Sequence, residues 1–103
     1  MEVVFISHPF SGDAEENKRK AKNLSLRLNV KGKVVINPLD LFSFFDDELR
    51  KEIMEICFRL IDMVDIVYFY NYGKLSGGQK EELEYTKKIG KNYKVVDMTW
   101  LKK

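Results

Sequence analysis

The stretch KLSGGQKEELEY, Lys74 to Tyr85, decides how the chain is read. It follows the apolar, aromatic run Ile66 to Tyr70, crosses two glycines and enters a charged segment of helical character. A strand that runs through a glycine loop into a helix leaves backbone N–H groups unpaired at the helix start, where they can hold an anion. Ser76 adds a hydroxyl at that point. Glu81, Glu82 and Glu84 fall in the first helical turns. Helical side chains lean toward the N-terminus, so one of the three can reach back over the loop. The stretch predicts an anion cradle beside a carboxylate; the competing reading is a flexible turn followed by a solvated acidic helix.

Upstream the chain alternates in the same way. Val3 to Ile6 is a short continuous apolar run, the mark of a strand covered on both faces. The loop Ser7 to Gly12, SHPFSG, leads to Asp13, which has Glu16 three places on and so predicts a capped helix running to about Leu28. Its buried face would use Ala14, Ala21, Leu24 and Leu28. After the turn at Gly32, Val34 to Asn37 reads as a second strand, stopped by Pro38. The segment Asn37 to Phe45, NPLDLFSFF, is apolar for a loop. Asp46 or Asp47 can cap the next helix, where Leu49, Ile53, Ile56, Cys57, Leu60, Ile61 and Val64 recur at helical spacing. Ile66 to Tyr70 is the third strand, the helix after Gly78 ends at Gly90, and Tyr93 to Met98 is the fourth strand.

Strictly alternating strands and helices predict an α/β fold: a three-layer, short flavodoxin-like or Rossmann-like parallel sheet, strand order 2-1-3-4, with helices on both faces. Ligands of such sheets bind beyond the carboxyl ends of the strands. Three loops meet there: Ser7 to Gly12, Asn37 to Phe42, and Asn71 to Gly78.

Composition narrows the function. At 103 residues the chain fits one domain with one modest core. A net charge of +2, with its lysines spread along the chain, argues against nucleic acid. Cys57 is the only cysteine and sits in an apolar helical pattern, which predicts a buried thiol and a reducing, cytoplasmic setting. No apolar run is long enough to span a bilayer, and no leader is expected. His8 is the only histidine and has no cysteine or histidine partner at ligand spacing, so neither a metal nor a cofactor is expected.

FISHPFSG at Phe5 to Gly12, INPLDLF at Ile36 to Phe42 and S-x-G-x-x-x-E at Ser76 to Glu82 together resemble the nucleoside 2-deoxyribosyltransferase-like superfamily, its small bacterial and phage members above all. The resemblance covers nearly the whole chain. It implies one domain over residues 1–103 that acts on nucleosides or nucleoside monophosphates at the N-glycosidic bond, with Glu82 as nucleophile. It also implies that Ser76 contacts a 5′-phosphate, that Ser7, His8, Pro9, Phe10, Ser11 and Gly12 line sugar and phosphate, and that the protein is a homo-oligomer, a dimer or larger. Gly78, one turn before Glu82, would let a ligand approach closely.

The departure lies in the general acid. Relatives carry an aspartate on the helix before the third strand, and the alignment puts Cys57 there. Asp40 is the candidate substitute, because its loop lies at the correct end of the sheet; the competing role is a turn aspartate bonding its own backbone. Asn37 and Asn71 are further ligand candidates, and Tyr72 can stack on a base, whereas Tyr68 and Tyr70 are assigned to packing. Phe42, Phe44 and Phe45 form a cluster that would cover the site or a subunit contact. Two functions follow: an N-glycosidase or deoxyribosyltransferase acting through Glu82, or a non-catalytic binder that recognises or sequesters a nucleotide-derived, ADP-ribose-type signal.

Overall fold

The computed structural model describes residues 1–10, 12–41 and 49–102. Four strands, β1 (Val3–Ser7), β2 (Val34–Ile36), β3 (Ile66–Asn71) and β4 (Asn92–Asp97), form one sheet in the order β2-β1-β3-β4. Every neighbouring pair is parallel. The helices are α1 (Ala14–Val30), the one-turn α2 (Pro38–Leu41), α3 (Arg50–Met63) and α4 (Gly77–Lys88), and a 3-10 turn follows at Thr99–Lys102. This is the expected α/β topology.

Period-two alternation along the strands sorts the core into two faces. Val4 and Ile6 of β1 pack with Leu28 of α1, Tyr70 and Met98 on one side of the sheet. Phe5, Val67 and Phe69 face the other way and pack with Ile53, Cys57, Ile61 and Val64 of α3 and its end. Ser7 follows Phe5 by two, so it falls on the α3/α4 side, at the carboxyl end of β1.

Local signals set the boundaries. The Asp13 carboxylate accepts from Glu16 N, and α1 runs two residues past the expected Leu28 before Gly32, at φ +82°, turns the chain. Gly90, at φ +70°, ends α4 as expected. Two expectations need correction. The glycines before Glu82 are not a loop: Ser76 Oγ accepts from Gln79 N while Gln79 Oε1 accepts from Ser76 N, and this capping box starts the helix at Gly77. The inward face of α3 is narrower than its apolar pattern, since Leu49 and Ile56 are exposed while Ile53, Cys57 and Ile61 are buried. The expected caps Asp46 and Asp47 and the cluster Phe42, Phe44 and Phe45 lie outside the described residues.

Candidate functional site

On α4 the buried residues are Gln79, Glu82 and Thr86, a polar stripe at spacings of three and four. Burial this deep requires partners for each polar group. Gln79 Nε2 donates to the carbonyls of Ser7 (3.0 Å) and Tyr70 (2.8 Å), and Thr86 Oγ1 donates to Glu82 O (2.6 Å). One amide side chain thus joins the start of α4 to the carboxyl ends of β1 and β3. One turn later it brings Glu82 against Ser7.

Glu82 is 7% exposed. Ser7 Oγ donates to its Oε1 at 2.7 Å, and the Cys57 thiol donates to the same carboxylate. Burial pushes the Glu82 carboxyl up to about 7 from 4.5, the two donors pull it down, and the nearby Glu81 charge pushes it up. The Cys57 thiol is raised far above the usual range, first by burial and then by the Glu82 charge. Cys57 is therefore a protonated hydrogen-bond donor, and Glu82 ionises near neutrality.

These groups border a cavity of about 330 Å³ beyond the carboxyl ends of β1 and β2. Phe10, Pro38, Leu39, Ile53 and Met54 give it apolar walls, and Glu82, Cys57, His8, Arg50 and Ser76 supply polar groups. A Cβ on Gly77 would meet Arg50 Nη2 at 3.7 Å and one on Gly78 would meet Met54 Sδ at 3.9 Å, so the bare glycines keep this side of the cavity open. Arg50 Nη2 pairs with Glu81 Oε2 at 2.7 Å. The guanidinium thereby stands beside the first turn of α4, where Gln79 N is capped by Ser76 Oγ and the N–H groups of Gly77 and Gly78 are the ones left without intrahelical acceptors. A cation and free amide donors at one end, with a buried carboxylate further in, can bind an anion-bearing molecule and place an oxygen nucleophile against it.

Residues 2–96 match the family described as Domain of unknown function (DUF7768). The chain belongs to that family. No curated protein matches it. Among solved structures, this DUF7768 chain is similar to the CMP N-glycosidase BcmB of Clostridium botulinum, with 20% identity and a TM-score of 0.62 over 93% of this chain and 71% of that one. The 2-deoxyribosyltransferase of Bacillus psychrosaccharolyticus gives 20% identity and a TM-score of 0.71 over 92% and 72% of the two chains. For the 2-desoxiribosyltransferase of Leishmania mexicana the values are 16% and 0.67, over 94% of this chain and 65% of that one, so the DUF7768 chain spans less than two thirds of the Leishmania enzyme. These likenesses establish the shared fold.

The remaining predicted residues divide by position. His8 is buried on the cavity wall; its Nδ1 lies 2.8 Å from Pro9 O and its Nε2 2.7 Å from Tyr72 Oη. Phe10 and Gly78 line the same cavity, whereas Pro9, Tyr72, Lys74 and Ser76 border a second, more open cleft beside it. Tyr72 has the Lys20 ammonium 5.0 Å from its ring centroid. Asn37 is buried; its Oδ1 accepts from Leu39 N, and its Nδ2 has no partner among the described residues. Asn71 Oδ1 accepts from Gly73 N, a turn-forming bond. Gly12 is exposed at φ +95°, and Ser11 lies outside the described residues. Asp40 is exposed on α2 and is not among the residues lining the cavity, although its neighbours Pro38 and Leu39 are. Sequence reasoning missed Arg50, Gln79 and Met54. Arg50 carries no local signal; Gln79 stands three after Ser76, a spacing that capping boxes use.

Proposed function

We propose that the protein binds a nucleoside monophosphate or a related nucleotide and cleaves, or transfers at, its N-glycosidic bond with Glu82 as nucleophile. The observation that carries this reading is the Glu82 carboxylate, buried at the cavity, held by Ser7 and Cys57 and poised to ionise near pH 7. The phosphate would sit at the first turn of α4, with Arg50 as its cation. The named activities of the Clostridium and Bacillus neighbours, an N-glycosidase and a 2-deoxyribosyltransferase, are consistent with this chemistry. A carboxylate beside the anomeric carbon stabilises an oxocarbenium-like transition state or bonds to the sugar, and water or a second base releases it.

The same reading makes the protein a cytoplasmic homo-oligomer that acts on small molecules. The exposed residues Leu49, at the N-cap of α3, and Ile56 and Met63 on the helix, spaced by seven, support self-association. A second reading, a non-catalytic binder of a nucleotide-derived signal, is favoured by one feature: a thiol, not a carboxyl, donates to Glu82. Thermal shift and liberated base, followed together over a panel of nucleosides, nucleoside monophosphates and ADP-ribose-like nucleotides, separate the two. Stabilisation with base release supports the enzyme; stabilisation without release supports the binder.

A further inference from the structure

A neutral base leaves a sugar as an anion unless a proton reaches it, whereas a base that is cationic in the glycoside leaves as a neutral molecule. The protonation of the cavity therefore bears on the substrates it takes. Apart from Glu82, its described titratable groups are His8, Cys57 and Arg50. The Pro9 carbonyl can only accept, so His8 Nδ1 carries a hydrogen, and in the neutral ring Nε2 accepts from the Tyr72 hydroxyl; both nitrogens are occupied within the protein. Burial also lowers the His8 pKa and keeps the ring neutral. The Cys57 proton is held by Glu82, and Arg50 is engaged with Glu81. Asp40 is exposed and outside the lining.

The electrostatics point the same way. Glu82 is a buried carboxylate whose donors, Ser7 and Cys57, are both neutral. A buried charge without a counter-ion is costly, and a cation brought into the cavity would offset that cost. The walls of Phe10, Leu39, Ile53 and Met54 suit a flat, weakly hydrated organic cation.

Building on Glu82 as nucleophile, we propose that the substrates are N-ribosyl nucleotides whose base is a fixed cation while attached, a pyridinium or an N-alkylated purinium. A Glu82 carboxylate oxygen bonds to the anomeric carbon as the carbon–nitrogen bond breaks, and the electron pair stays on the ring nitrogen, which becomes neutral. Water then attacks the anomeric carbon, the ester bond to Glu82 breaks, the carboxylate is restored and the water's proton passes to solvent. Cationic glycoside plus water gives free sugar phosphate, neutral base and one proton.

The test compares base release from N7-methylguanosine 5′-monophosphate and nicotinamide mononucleotide with release from GMP and CMP, each over pH 5.5 to 9. The cationic pair is expected to react at least ~100-fold faster in kcat/KM, the lower end of what general acid catalysis supplies. The rate with nicotinamide mononucleotide, whose pyridinium keeps its charge at every pH, is expected to rise with Glu82 ionisation and then stay level at alkaline pH. Comparable rates for GMP and its methylated form at pH 5.5 to 6, where the methylated base is fully cationic, or a falling alkaline limb with nicotinamide mononucleotide, whose pyridinium has no proton to lose, would show that the protein delivers a proton and would overturn the proposal. Cleavage of CMP or GMP alone overturns it while leaving Glu82 as nucleophile intact. No release from any of the four overturns it together with the glycosidase reading.

Discussion

Ser7 Oγ donates to Glu82 Oε1 at 2.7 Å across 75 positions of sequence, and both side chains are buried. The bond ties the end of β1 to the second turn of α4 and opposes the upward push of burial on the Glu82 carboxyl. A hydrogen bond to a charged group contributes about 1.5–3 kcal/mol, and about 1.4 kcal/mol corresponds to one pH unit. Ser7→Ala should therefore raise the Glu82 midpoint by about one to two pH units. Carboxyl-selective NMR titration of the two proteins checks this, and an unmoved midpoint would remove Ser7 from the tuning of Glu82.

Glu82 also sets a pH dependence of stability. Its folded value, about 7, lies above the ordinary 4.5, so between these limits the unfolded chain is ionised while the native carboxyl keeps its proton. The unfolded state then binds fewer protons, and stability falls as pH rises from about 4.5 to about 7, then levels off. A shift of this size corresponds to about 3 kcal/mol, an order-of-magnitude figure. Glu82→Gln should remove this part of the slope and raise the melting temperature at pH 8, measured by calorimetry on both proteins. A lower melting temperature for the variant at pH 8 would mean that the ionised carboxylate is stabilised by its surroundings.

Gln79 satisfies three backbone groups: the Ser7 and Tyr70 carbonyls and the Ser76 N–H. Gln79→Met keeps the shape and abandons all three. Each buried group left unpaired costs about 1–3 kcal/mol, so the loss should reach several kcal/mol by urea denaturation. A loss below about 1 kcal/mol would show that water replaces the amide.

Much of this arrangement is legible in the sequence. Val3 to Ile6 and Ile66 to Tyr70 are apolar without interruption because α1 covers one face of the sheet and α3 and α4 the other, and the order 2-1-3-4 follows from their right-handed crossovers. Position alone leaves Glu81, Glu82 and Glu84 as candidates, and it is the motif resemblance over Ser76 to Glu82 that singles out Glu82. The buried side of α4 was harder to read: Gln79, Glu82 and Thr86 have the composition of a solvated face, and only the strand ends above them turn it inward. Arg50 reaches the site through an ion pair with Glu81, 31 residues away, which no local pattern announces. Asp40 lies at the correct end of the sheet, as expected, but α2 leaves its side chain in solvent.

The phosphate role proposed for Arg50 predicts that it discriminates ligands with a phosphate from those without. A guanidinium bond to phosphate supplies about 1.5–3 kcal/mol, equivalent to roughly 10- to 100-fold in Kd. Arg50→Ala should weaken a nucleoside monophosphate by that factor and leave the bare nucleoside nearly unchanged, as read by isothermal titration. Equal weakening of both would place Arg50 in a packing role at the cavity rim.

The nucleophilic role of Glu82 is tested most directly by single-turnover base release from a bound nucleotide, comparing the wild-type protein with Glu82→Ala at ligand concentrations that saturate both. The account predicts that the variant still binds and that release falls by at least ~10³-fold, as expected when a covalent nucleophile is removed. Release by the variant at the wild-type rate, with binding intact, would contradict it.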